Sequence, residues 1–300
     1  MIRRNSQSVT GIAAFLATLA LIAGGACGAP VPLSGLQLWL QGDTGITTNA
    51  DGVTRWADQS GNGRDATVLA GDSEPDYVSS VSALGGRPAL RFDGTDERFI
   101  IETTGVERIL GSGTLEFTVF TVGLADIENN TSMVGIRDGS APLIQLDQQG
   151  GSEPNLGKSR FILRNGSATQ ANALGQDHTG SYGIYSGDIE RNPTSGDSTV
   201  SVYFDGPTPE GSATADFGGA PDFGDGVQMI GGLTSGSTDW FWDGDIAEVL
   251  IYDRALSLGE KNQVGFYLEQ KYSLQTAYLP EPAGLIVLAL TTCLLLRRRP

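Results

Sequence analysis

Few residues in this chain could do covalent chemistry. His178 is the only histidine, and the two cysteines are Cys27 and Cys293. Hydrolysis by a serine or cysteine nucleophile needs a positioned base, and His178 would have to act from a polar stretch, Gln176-Asp177-His178-Thr179-Gly180. Zinc chemistry wants several histidine or cysteine ligands, which the sequence lacks. What remains is a pair of carboxylates cleaving a glycoside. The nearest run is Asp243-Gly244-Asp245-Ile246-Ala247-Glu248. On a regular strand Asp243 and Asp245 share a face and Glu248 points the opposite way, so only a bulge would bring Glu248 round.

Other constellations suit binding better than reaction. In Trp240-Phe241-Trp242 a strand would put both tryptophans on one face, where they either stack on sugar rings or pack the sheet. The stretch Asp58 to Gly63 carries Asp58 and Asn62, which suit an Asx turn and a type I′ turn, or alternatively a loop that touches carbohydrate. A hard cation such as Ca2+ needs several oxygen ligands. Asp93-Gly94-Thr95-Asp96-Glu97 is a compact acidic turn, with Asp93, Asp96 and Glu97 as candidate ligands, and Asp216, Asp222 and Asp225 crowd a second loop. Neither is an EF-hand pattern, and solvated acidic turns explain both.

The elements that must position these residues have a period of two. Leu36 to Leu40 alternates, with its three leucines on one face, and Ala89 to Asp93 follows a Gly85-Gly86-Arg87-Pro88 turn. Thr114 to Val122, Arg160 to Arg164, Thr199 to Phe204 and a long run from Trp240 to Tyr252 are further strands. Trp39 and Trp56 are core fillers. Short strands separated by Gly, Asn, Asp and Ser predict an all-β sandwich. One helix is expected: Ser257-Leu258-Gly259-Glu260 is a capping box, and Val264, Leu268 and Tyr272 recur every four residues beside Tyr267. Gly259 and Gly265 weaken it, so docking on the sheets must hold it.

Both ends differ from this middle. Arg3 and Arg4 precede an apolar stretch from Ile12 to Ala23 and then small residues, a secretory signal peptide over 1–29 cleaved after Gly28 or Ala29. At the other end Pro280-Glu281-Pro282 is followed by the uncharged stretch Ala283 to Leu296 and then Arg297-Arg298-Arg299. As a helix that stretch would reach about 21 Å against a hydrocarbon core of roughly 30 Å, a marginal span. Arginines at its far end would stay cytoplasmic, leaving the upstream chain outside. Setting both ends aside removes both cysteines, five basic residues and one acidic residue, so residues 30–279 are more acidic than the whole chain at −16. Such a surface repels nucleic acid and anionic lipid.

Two resemblances follow from these blocks. Pro280-Glu281-Pro282, a short apolar helix and an arginine cluster resemble the PEP-CTERM sorting signal of residues 280–300. That implies a Gram-negative bacterium, export, transient holding at the inner membrane, tail processing by an exosortase-type enzyme, and association with exopolysaccharide or the cell surface. A plain C-terminal anchor helix is the alternative. Between the ends, Gly35-Leu36-Gln37-Leu38-Trp39-Leu40, the stretch Trp56 to Ala66, Gly86 to Gly94 and Gly244 to Ser257 resemble laminin-G-like members of the concanavalin A-like lectin/glucanase superfamily. The resemblance implies a jelly-roll sandwich of two antiparallel sheets over residues 30–279, with one short C-terminal helix. Calcium at a sheet rim is also implied. The glucanase branch carries Glu-x-Asp-x-x-Glu, and here Asp243 replaces the first Glu, shortening that arm by one methylene.

The expected protein is therefore an exported, surface-associated binding module for polysaccharide or surface proteins. A glycoside hydrolase using Asp243, Asp245 and Glu248, and a structural matrix protein with no discrete ligand site, are the alternatives.

Overall fold

The structure, a computed structural model, describes residues 31–101, 109, 116–127, 131–137, 143–150, 154–165, 169–219, 227–234 and 239–280. Among these the chain is mostly strand, with strands numbered in chain order and all ladder pairs antiparallel. One sheet runs Gly211–Ala215 (β15), Ser198–Phe204 (β14), Gly183–Arg191 (β13), Phe117–Ala125 (β8), Asp243–Tyr252 (β19), Arg87–Asp93 (β6) and Asp76–Val81 (β5). Leu36–Gln41 (β1) also pairs with β19 and makes eight strands. A nine-stranded sheet runs Thr169–Asp177 (β12), Lys158–Asn165 (β11), Leu143–Gln148 (β10), Thr131–Arg137 (β9), Val227–Ile230 (β16), Phe99–Ile101 (β7), Ala66–Val68 (β4), Val53–Trp56 (β3) and Ile46–Thr48 (β2).

The expected two-layer sandwich is present. A third, two-stranded ribbon, Gly232–Thr234 (β17) with Asp239–Phe241 (β18), adds to it. The ribbon arises because the chain turns back at Gly231, whose φ of 77° favours glycine and whose missing side chain leaves room for the Phe92 ring.

The main core lies between the two large sheets. Leu38, Leu40, Phe92, Phe117, Val249 and Ile251 from one sheet meet Trp56, Phe99, Ile144, Leu146, Phe161 and Leu163 from the other. Phe117 stacks on Phe161 with centroids 6.1 Å apart. Trp56 is fully buried and donates its Nε1 to the Gln41 carbonyl at 2.8 Å. A second cluster lies on the opposite face of the eight-stranded sheet, beneath the helix Leu258–Tyr272 (α1). The Ser257–Glu260 capping box forms in both directions, and Val264, Leu268 and Tyr272 point into the sheet. Gly265 is required by packing: a Cβ there would strike the Tyr278 ring of the segment that folds back along the helix. That segment is held by Ala277 N–H to the Asp205 carbonyl (2.7 Å) and Leu279 N–H to Asn262 Oδ1 (2.9 Å), and it leaves Pro280 exposed on the helix side.

Two bulges overturn face assignments made from alternation. In β1 the register against β19 slips between Leu36 and Leu38. Leu36 therefore packs under the helix while Leu38 and Leu40 face the inter-sheet core, so the three leucines do not share a face. In β19 the register against β8 slips between Ile246 and Glu248. Ala247 is the extra residue, and both Ala247 and Glu248 face the helix while Ile246 and Val249 face the core.

Glu248 is fully buried, and four donors meet it: Trp39 Nε1 (2.6 Å) and Tyr267 Oη (3.0 Å) at Oε1, Lys271 Nζ (2.7 Å) and Tyr272 Oη (2.7 Å) at Oε2. At the other end of the helix Lys261 pairs with buried Asp188, which also accepts from Tyr203 Oη at 2.9 Å.

No helix among the described residues is long and apolar enough to cross a membrane. The signal peptide, Glu281, Pro282, the apolar run, Arg297, Arg298, Arg299, Asp222 and Asp225 lie outside the described residues.

Removing Glu248 would strip Trp39 Nε1 and Tyr267 Oη of their acceptor in a buried seam and take from Lys271 its fully buried counter-ion, leaving it Asp43 (3.0 Å) and Gln41 (2.8 Å). Glu248→Ala is expected to cost about 3–5 kcal/mol, as for breaking a buried ion pair. Urea unfolding should show this as a lowered midpoint, and a midpoint near that of the parent would contradict the assignment.

Candidate functional site

The bulge does turn Glu248 onto the face of Asp245, the one condition under which the carboxylates of β19 could act together. They are nonetheless spent. Asp245 is fully buried, takes Arg91 Nε at 2.8 Å and Nη2 at 2.9 Å, and accepts from the Tyr182 hydroxyl. Glu248 holds the helix. A glycosidase acid or nucleophile must touch its substrate, and neither group has an open side. Asp243 stands apart and half-buried; burial raises its pKa, as do Asp126 and Asp93 nearby.

Asp58 and Asn62 serve the backbone. Asp58 Oδ1 accepts from Trp39 N (3.0 Å) and Ser60 N (2.9 Å), and Oδ2 accepts from Ser60 Oγ (2.7 Å) and Arg64 N (3.1 Å). Asn62 Nδ2 donates to the Leu36 and Gln37 carbonyls at 3.0 and 3.1 Å. The loop is thereby tied to β1. Asp58 makes the expected Asx turn, but Asn62 does not take a positive φ, so Asn62-Gly63 is not a type I′ turn.

Asp93, Asp96 and Glu97 do share a turn. However, Glu97 Oε2 takes Asp93 N–H at 2.7 Å and Asp93 Oδ1 takes Thr95 N–H at 2.8 Å. Asp216 likewise accepts from Gly218 N–H at 2.8 Å. No three acidic, histidine or cysteine side chains converge among the described residues. The calcium suggestion therefore has no matching donor set there.

Trp240 and Trp242 part company, because β18 ends at Phe241 and β19 starts at Asp243. Trp242 crosses between them into the inter-sheet core and is 1% exposed, so it offers no stacking face. Phe241 lies under Arg98, whose guanidinium carbon is 4.6 Å from the ring. Trp240 goes the other way. Half-buried, it stands with Leu233, Leu143 and Ile162 on the outward face of the nine-stranded sheet. Gly135 on β9 lets the ribbon sit this close, since a Cβ there would strike Leu233.

Beside Trp240 a groove of about 280 Å³ opens along β10, β11 and β12. Its floor follows from alternation. Phe161, Leu163, Ala171 and Ala173 face the core, so Arg160, Ile162, Arg164, Gln170 and Asn172 face outward. The ladder arranges them in rungs: Asp147–Arg160, Gln145–Ile162–Asn172 and Leu143–Arg164–Gln170. In the first rung, Asp147 accepts from both Arg160 Nε (2.8 Å) and Nη2, and Arg160 Nη1 reaches Gln149 Oε1 at 3.2 Å. Burial pushes Asp147 up to about 6 against the pull of Arg160.

In the third rung Leu143 pairs on its far side with Arg137, whose guanidinium carbon lies 5.9 Å from the Trp240 ring centre. Burial and then the positive charge of Arg164 lower the Arg137 pKa. In the middle rung Asn172 Oδ1 is buried with no hydrogen-bond partner. The groove thus combines an aromatic wall, amide side chains and arginines.

From sequence, Arg160 to Arg164 reads as a strand and nothing marks it as part of a site. The available signal was Arg160-x-Ile162-x-Arg164, a basic stripe opposite two apolar residues. His178 lies in the loop just past the end of β12 at Asp177, and it is engaged there. It stacks on Phe204 at 3.6 Å and bonds both Glu210 oxygens at 2.9 and 3.0 Å. Burial opposes the Glu210 charge, but the His178 and Gln176 bonds outweigh it and the pKa falls.

No family model and no curated protein matches the sequence. Among solved structures the chain is similar to Trypanosoma rangeli sialidase in complex with sialic acid, with TM-score 0.52 and 18% identity over 81% of this chain. The same sialidase with 2,3-difluorosialic acid, as a covalent intermediate, gives 0.51 and 18% over 82%. The match spans 34% of the sialidase chain in both. Ruminococcus gnavus IT-sialidase CBM40 bound to alpha2,3 sialyllactose gives 0.41 and 16%, over 56% of this chain and 91% of its own. At these identities the likeness to the sialidase is one of fold.

Glu97 provides a test of the acidic turn. Burial, then Asp93, Asp76 and Asp96, raise its pKa to about 7, against the Asp93 hydrogen bond. The native state therefore holds this proton more tightly than the unfolded chain, and stability from this group falls as pH rises from about 4.5 to about 7. Glu97→Gln keeps an acceptor for Asp93 N–H and removes the charge. It should raise the melting temperature at about pH 8 and leave it little changed at about pH 4. A difference independent of pH would contradict this.

Proposed function

We propose that the protein is a glycan-binding module and that its binding site is the groove beside Trp240. The carrying observation is the Trp240 wall over a floor of outward-facing Gln145, Asn172 and Gln170. A sugar ring presents one apolar face and a rim of hydroxyls. An indole takes the first, and amides, which both donate and accept, take the second. Hydrolysis is not favoured, since Asp245 and Glu248 are enclosed and hydrogen-bonded. The sandwich is also an architecture found in a carbohydrate-acting protein, the sialidase, which at 18% identity speaks for fold alone.

The laminin-G-like assignment for residues 30–279 belongs to the same proposal and rests on the sequence blocks from Gly35 to Ser257. So does export to the cell surface of a Gram-negative bacterium, with 1–29 as signal peptide and 280–300 as a PEP-CTERM-like tail for an exosortase-type enzyme. Its support is the order Pro280-Glu281-Pro282, apolar run, Arg297-Arg298-Arg299. An epitope-tagged chain should fractionate outside the cytoplasm and lose mass at its C-terminus. A full-length cytoplasmic product would refute the export reading.

Binding is tested on a glycan array followed by titration calorimetry. Trp240→Ala should weaken the best glycan about fivefold to tenfold, the worth of one aromatic stacking contact. No glycan bound, or equal binding by the variant, would count against the groove.

A further inference from the structure

We propose that the groove selects glycans built from N-acetylated amino sugars, and that Gln145 and Asn172 hold the acetamido group between them. This rests on the groove being a glycan site and adds the class of sugar.

The middle rung of the floor crosses four strands on the outward face. Gly135 on β9 pairs with Gln145 on β10, Gln145 with Ile162 on β11, and Ile162 with Asn172 on β12. Leu233 packs over Gly135, and Trp240 is its partner in the ribbon. The rung therefore runs from the Trp240 wall to an amide, an isoleucine and a second amide. Gln145 is only 3% exposed and still lines the groove. Its amide has no hydrogen-bond partner among the described residues. Asn172 Oδ1 is likewise buried without one. Enclosing unpaired amides costs free energy that the apolar neighbours Leu143, Ile162 and Leu233 do not return. The pair is complete only when a ligand joins it.

The spacing selects the group that can do so. Gln145 and Asn172 stand on strands two places apart, roughly 9.6 Å at sheet spacing. A single hydroxyl reaches one of them. A trans secondary amide carries its N–H and C=O on opposite edges, which is how a peptide unit bridges the strands on either side of it. An acetamido group lying over Ile162 bridges the two side chains in the same way. Each primary amide has a donor and an acceptor, so either direction of the group is met. Asn172 Oδ1 has no bond to lose when its amide turns about its soft final torsion to face the ligand. The methyl group rests on Ile162, and the sugar ring lies toward Leu143 and Trp240.

The test uses the full-chain protein with chitohexaose and cellohexaose, hexamers of the same linkage. They differ only in an acetamido group against a hydroxyl on each ring, and neither is charged. A second pair, N-acetylgalactosamine and galactose, is run beside them by titration calorimetry. So are a panel of glycans without acetamido groups and an alanine–glycine peptide as a control for other secondary amides. The acetamido member of a pair is expected to bind at least about tenfold tighter, the worth of two hydrogen bonds. The difference should persist as salt is raised, since no charge enters it. Gln145→Met and Asn172→Leu keep the side-chain size and remove an amide that the protein itself leaves unpaired. Each should reduce the difference to about threefold or less, the worth of one hydrogen bond. The comparison of paired sugars is made on the parent protein and does not depend on a variant folding.

Equal affinity within both pairs, or binding confined to glycans without acetamido groups, would overturn the acetamido preference and leave the glycan site standing. A preference unchanged in folded Gln145→Met and Asn172→Leu variants would overturn the role of the two amides. Binding of no glycan of any kind would remove the site and this inference together. Binding of the peptide in place of every glycan would overturn both in favour of a protein partner.

Discussion

A carboxylate with no exposure is tolerated only when both its charge and its lone pairs are met by the protein. Glu248 satisfies this by drawing in Trp39 from the first strand and Tyr267, Lys271 and Tyr272 from the helix. One side chain on the last strand thereby fixes the first strand, the last strand and the helix against each other. This depends on the extra residue at Ala247, without which Glu248 would enter the apolar layer between the sheets. Lys261 with Asp188 and Tyr203 sets the other end of the helix, and Arg91 with Tyr182 satisfies Asp245. A helix docked in another register would leave at least one buried charge unmet.

The sandwich divides its labour between its outer faces. On the eight-stranded sheet the polar groups are enclosed, paired with one another and committed to holding the helix. On the nine-stranded sheet they line a groove, and at Asn172 one acceptor lies without a donor. The ribbon produces this difference. By turning out at Gly231 and resting on Gly135 it raises Trp240 beside the strands instead of covering them. Acidic residues are abundant on both sides, so their presence in a run such as Asp243 to Glu248 says little about chemistry until their partners are known.

What could be read from residues alone follows a physical line. Strands with a run of β-branched and aromatic residues, such as Ser198–Phe204 and Lys158–Asn165, and a helix with a capping box were legible because their signals are local. Thr169–Asp177 was not. It carries Asn, Gln, Ala and Gly, poor strand formers, and it is a strand because Arg160 to Asn165 pairs with it. The bulges at Gln37 and Ala247 were illegible for the same reason: each exists only against a partner strand. The enclosed state of Asp245 and Glu248, the core position of Trp242 and the grouping of Arg137, Arg164 and Trp240 join segments scores of residues apart. Only the basic stripe on Arg160 and Arg164 was visible beforehand, and alternation could have placed it outward.

The backward fold of the segment after the helix has a spatial consequence. Tyr278 seals against Gly265, and Pro280 leaves from the helical flank. The groove opens on the reverse side of the molecule. The exit at Pro280 and the face that carries Trp240 are therefore on opposite sides of the sandwich.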